Sequence, residues 1–107
     1  MDDFTTGIFY DDSEFIITKR RWIHVLEHHP ELYDSVDIVL EAVSKPDEVY
    51  VDPRGMYHAI KRARKYSDYM VVVCRKYEGK TYLTTAYYTS SKRKERRYRK
   101  YTKQKLS

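Results

Sequence analysis

The stretch Tyr69-Met70-Val71-Val72-Val73-Cys74-Arg75-Lys76-Tyr77-Glu78-Gly79-Lys80-Thr81-Tyr82-Leu83-Thr84-Thr85-Ala86-Tyr87-Tyr88 reads as two strands joined by a tight turn. Tyr69 to Arg75 is a β-branched run of the kind found in a central strand. Glu78-Gly79-Lys80 supplies the hairpin turn. Thr81 to Tyr88 then alternates aromatic, aliphatic and threonine side chains, as a second strand does. Cys74, the one cysteine, has no partner for an internal disulfide and reads as a small buried hydrophobe.

Upstream, Val49-Tyr50-Val51 reads as a further strand, closed by the turn Asp52-Pro53-Arg54-Gly55. Met56 to Ala63 stays open between helix and strand. Met56, Ile60 and Ala63 fit a helical face, but the segment lies between two strands. Before these strands, Thr18 is an N-cap candidate and Trp22, Val25 and Leu26 mark one face of a helix running to about His28. Pro30 is suited to open a second helix, with Glu31 in its first turn and Leu32, Val36, Val39, Leu40 and Val43 as its apolar stripe. Lys45-Pro46-Asp47 ends it. The order is helix, helix, then an antiparallel meander. This predicts an α+β domain, with N-terminal helices packed on a three- to four-stranded antiparallel sheet.

The chain has 107 residues and a formal charge of +5, and that charge is unevenly spread. Residues 1–17 form an acidic leader with five acids and no base, with a short strand expected at Ile8-Phe9-Tyr10. Residues 18–91 are the expected domain. Residues 92–107 form a tail in which Lys92, Arg93, Lys94, Arg96, Arg97, Arg99, Lys100, Lys103 and Lys105 face a single acid, Glu95. A segment this basic is expected to stay out of the core and to bind a polyanion, RNA above all, through phosphate contacts. Lys92, Arg93, Lys94, Arg96 and Arg97 are the expected RNA-binding cations, and Tyr98 is the aromatic expected to stack on unpaired bases. The same tail suits docking on an acidic protein or folding back on the leader.

Several chemistries have no footing. No apolar run reaches the ~20 residues of a membrane span. The acidic start is unlike a signal peptide, so a cytoplasmic protein is expected. The three glycines, Gly7, Gly55 and Gly79, make no phosphate loop, and no nucleophile elbow is present. Asn is absent and 35% of residues are charged, a thermophile-like composition. His24 and His28 share a helix face, but no further ligand set completes a metal site, so neither metal nor cofactor is expected. The remaining inventory of His, Arg, Lys, Thr and Tyr is compatible with metal-free RNA cleavage. There the 2′-hydroxyl is the nucleophile, and the protein supplies an acid, a base and cations.

Arg21-Trp22-Ile23-His24-Val25, His29-Pro30-Glu31, Lys45-Pro46-Asp47-Glu48-Val49 and Leu83-Thr84-Thr85-Ala86-Tyr87-Tyr88-Thr89-Ser90 occur in that order. This ordered set resembles the phage-type members of the barnase–EndoU–colicin–RelE nuclease superfamily, over about residues 18–91. The resemblance implies helices against a four-stranded antiparallel sheet, with residues 56–63 as a strand. It also implies a metal-independent ribonuclease of toxin or phage context, for which an acidic antitoxin or immunity protein is a partner class. Carried over by position, His24 is the expected general acid or base. His29 is either catalytic or a cap orienting the two helices. Thr85 and Tyr87 are expected to present hydroxyls to a phosphate from one sheet face. Arg62 and Arg21 are expected phosphate cations, and Trp22 is a core residue.

Overall fold

The computed structural model of the protein describes residues 3–106. Seven strands form one sheet: β1 (Asp3–Ile8), β2 (Glu14–Thr18), β3 (Glu48–Val51), β4 (Tyr57–Arg62), β5 (Tyr69–Tyr77), β6 (Lys80–Thr89) and β7 (Thr102–Lys103). Helices α1 (Lys19–His28) and α2 (Val36–Ser44) cover one face, with a 3₁₀ turn over Pro30–Asp34 between them, and α3 (Ser91–Tyr98) covers the other. The strand order is β1-β2-β6-β5-β4-β3-β7. All neighbours are antiparallel except β2 and β6, which run parallel. The α+β class therefore stands, but the expected three- to four-stranded antiparallel sheet is corrected to a seven-stranded mixed one.

The extra strands come from the two ends of the chain. In the stretch read as a leader, Asp11, Asp12 and Ser13 form a turn between two strands. The Asp11 carboxylate accepts from the Ser13 N–H at 3.0 Å, and Asp12 takes the left-handed conformation at φ 74°. Around this turn β1 and β2 pair, and Phe9, Phe15 and Ile17 are fully buried. Gly7 lets β1 lie close under α2, since a Cβ there would meet Leu40 Cδ2 at 3.0 Å.

The β5–β6 hairpin forms as its sequence predicts. Glu78 and Gly79 both take positive φ, 50° and 80°, the requirement of the tight turn whose twist suits a hairpin. β5 is central and buried from Met70 to Cys74. Residues 57–62 are a strand because β3 and β5 flank them and use their backbone N–H and C=O groups on both sides. Thr18 caps α1, its hydroxyl accepting from the Arg21 N–H at 3.2 Å. The second helix does not run unbroken from Pro30. The chain turns at the buried Ser35, whose hydroxyl is 2.7 Å from that of Tyr88 on β6, and only then starts α2.

The basic C-terminal segment is not a tail. Ser90 caps α3, accepting from the Arg93 N–H at 3.2 Å, and the Asp68 carboxylate accepts from the Ser91 N–H at 2.9 Å. Lys94, Tyr98 and Tyr101, spaced at i, i+4 and i+7, form the inner side of this segment. Tyr98 is 3% exposed and packs on Ile60, Val71 and Val73 in a second core on this face of the sheet. Lys94 reaches Glu48 at 2.8 Å. Burial pushes the Glu48 carboxyl up, but hydrogen bonds from Lys94 and Tyr50 outweigh that and hold it below its usual value. Burial and the same carboxylate push the Tyr50 phenol up to about 12. No helix of the described residues is long and apolar enough to cross a membrane.

Candidate functional site

β2 pairs with β6 only through Phe15–Thr81 and Ile16–Tyr82 before the chain leaves at Thr18 to form α1. The later part of β6 is therefore left without a strand neighbour on that side. The end of α1 fills the gap and brings His29 alongside. The His29 ring lies 6.0 Å, centroid to centroid, from that of Tyr87. Its backbone caps α1, the N–H bonding Val25 O at 2.8 Å, while its imidazole faces Glu31 at 3.8 Å and is 35% exposed. His29 thus closes α1 through its backbone, and its imidazole caps neither helical segment.

Tyr87 and Thr85 share one face of β6, opposite Val71 and Val73 on β5, as their two-residue spacing predicts. This is the face covered by α3. The Arg97 guanidinium sits over the Tyr87 ring at 5.5 Å. Arg93, Arg96, Arg97 and Lys100 fall at i, i+3, i+4 and i+7 and, with Tyr101, line one shallow depression. A positive stripe therefore runs along α3, with Arg97 over Tyr87.

Behind Tyr87 lies a hydrogen-bonded chain that the sequence did not reveal. The Tyr87 hydroxyl is 2.9 Å from that of Tyr98, which is 2.9 Å from His58 Nδ1, while His58 Nε2 is 2.9 Å from Asp52 Oδ2. His58 and Asp52 are buried. Burial favours the neutral form of Asp52. Hydrogen bonds from His58 and from the Met56 and Arg54 N–H groups overcome this and keep it an anion well into acid. Burial lowers the His58 pKa from its ordinary 6.5, against the opposing pull of Asp52, so the ring is neutral at pH 7. Burial also raises the Tyr98 phenol, which keeps its proton.

The other expected site residues lie elsewhere. His24 and His28 are on the outer side of α1, ring centroids 4.5 Å apart and turned away from the core. Arg21 is also exposed on α1. Arg62 is at the end of β4, over the Tyr69 ring at 5.7 Å, in a separate depression shared with Asp47, Glu48, Lys61 and Arg64. Lys92 is exposed, as are Arg93, Arg96 and Arg97. Lys94 is engaged with Glu48, and Tyr98 is too buried to stack on a base. Among the described residues no three His, Cys, Asp or Glu side chains converge as metal ligands would. Asp52 and His58 carried one local sign, a turn-type Asp six residues before a lone histidine. Their partner Tyr98 is 40 residues further along. Compared with protein-family models, curated proteins and solved structures, the chain finds no match.

Proposed function

We propose that this protein is a small ribonuclease that needs no metal ion, cutting RNA by attack of the 2′-hydroxyl on the adjacent phosphate. The observation that carries the reading is the approach of His29 and Arg97 to the Tyr87 ring, beside the cationic stripe of α3. The stripe has the spacing to follow a phosphate backbone without reading its sequence. Arg97 is placed to offset charge on the pentacoordinate phosphorus, and the Thr85 hydroxyl shares that face. His29 is the exposed proton carrier, suited to protonate the departing 5′-oxygen. The ordered motifs that resemble barnase–EndoU–colicin–RelE nucleases support the same reaction, with the acid–base histidine moved from His24 to His29.

Incubated with mixed RNA in excess EDTA, the purified protein is expected to release fragments ending in a 2′,3′-cyclic phosphate or 3′-phosphate. Intact RNA, or fragments with 5′-phosphates, would overturn the reading. A non-catalytic RNA-binding protein would use the same stripe without cleavage. The stripe itself is tested by Arg93→Glu combined with Arg96→Glu. Loss of two phosphate contacts should flatten the salt dependence of single-strand RNA binding by roughly 1.4 in the log–log slope. An unchanged slope would place the RNA elsewhere.

A further inference from the structure

We infer that Asp52, His58 and Tyr98 form a proton relay that makes the Tyr87 hydroxyl the base for the substrate's 2′-hydroxyl. The inference rests on the ribonuclease reading and assigns its missing base. It follows from counting donors and acceptors along the chain. Asp52 is an anion and only accepts, so the neutral His58 must donate from Nε2. His58 Nδ1 is then an acceptor and takes the Tyr98 proton. Tyr98 has no second proton, so the bond between the two tyrosine hydroxyls is donated by Tyr87. The Tyr87 proton therefore points toward Tyr98, and its oxygen keeps a lone pair free to accept.

That polarity fits a base and does not fit an acid. As the 2′-oxygen bonds to phosphorus, its proton passes to Tyr87 Oη. The Tyr87 proton moves to Tyr98 and the Tyr98 proton to His58 Nδ1, leaving an imidazolium held by Asp52. The bond from phosphorus to the 5′-oxygen breaks, and that oxygen takes a proton from His29. The relay then runs back, and Tyr87 passes its extra proton to His29. The net transfer is one proton from the 2′-oxygen to the 5′-oxygen.

The groups around His58 set how readily it accepts. Asp52, from the turn after β3, favours the imidazolium. Arg54, from the same turn, and Arg97, from α3, oppose it. Tyr98 and Tyr101 pack against the ring, each with its centroid 5.3 Å away. Arg97 thus works against an extra positive charge on His58, and it sits over the Tyr87 ring where the phosphate would lie.

Tyr98→Phe keeps the ring in its core and removes the hydroxyl that joins Tyr87 to His58. The expected result is a fall in kcat of about 100-fold or more, with KM for RNA unchanged. Wild-type cleavage alongside near-wild-type kcat in the variant would overturn the relay while leaving the ribonuclease reading intact. Absence of cleavage by the wild type would overturn both. The histidine ¹⁵N spectrum reads the polarity without activity, and it also reports whether the variant is folded. His58 is expected at pH 7 as the neutral Nε2–H form, its Nδ1 resonance moving in Tyr98→Phe. A Nδ1–H tautomer would overturn the relay.

Discussion

Tyr98→Ala is expected to destabilise the fold by roughly 3–5 kcal/mol, the usual loss on truncating a large buried aromatic. The side chain is 3% exposed and packs on Ile60, Val71 and Val73, and its ring meets those of Tyr50 and Tyr101 at 5.1 and 5.3 Å. Its loss also leaves His58 Nδ1 unpaired in a buried place, which adds to the cavity term. For a domain of this size the melting temperature should fall by about 12 °C or more. A solvated tail predicts no change, so an unaltered melting temperature would refute the packing of α3. The same packing means that deleting residues 92–107 removes part of a core along with the positive charge. Binding by the stripe is therefore better tested by exchanging its outward arginines.

The hairpin of β5 and β6 was legible because local chemistry dictates it. A β-branched run, a Glu-Gly turn and an alternating strand agree with one another. The ends of α1 were legible for the same reason, with Thr18 at one and Pro30 just past the other. The first hairpin is written in Phe15-Ile16-Ile17 and in Asp11-Asp12-Ser13, but the five acids of this stretch mask its turn chemistry. Residues 56–63 gave no clear period because β4 is covered on both faces. Ala59 meets the helical core and Ile60 the core beneath α3. In α3 the exposed arginines and lysines mask an inner line of only Lys94, Tyr98 and Tyr101. Burial there depends on a sheet face that only the assembled fold provides.

The site was legible in part. Thr85 and Tyr87 were placed on one face by strand periodicity alone, and Arg97 was marked by its charge. The sequence reading favours His24 over His29 as the acid–base residue, and both precede the helix break at Pro30. The helix geometry separates them. Trp22 and Val25 point to the core, which turns His24 outward, while the chain reversal at His29 carries its ring to the open side of β6. Asp52, His58 and Tyr98 come from a turn, a strand and a helix, and no local pattern joins them.

The two histidines give the second large effect. His29 is a solvent-facing cap whose side chain contributes little packing, so His29→Ala should fold normally. As the acid for the 5′-oxygen it is expected to account for 10²–10⁴ in rate. His24, on the outer side of α1, should account for almost none. The most direct measurement is the single-turnover cleavage rate of one RNA in EDTA by His29→Ala and His24→Ala, side by side with the unaltered protein. The expected result is a loss of at least about 100-fold for His29→Ala and less than about twofold for His24→Ala. A near-normal rate for His29→Ala, or the large loss falling on His24→Ala, would contradict a catalytic centre at Tyr87.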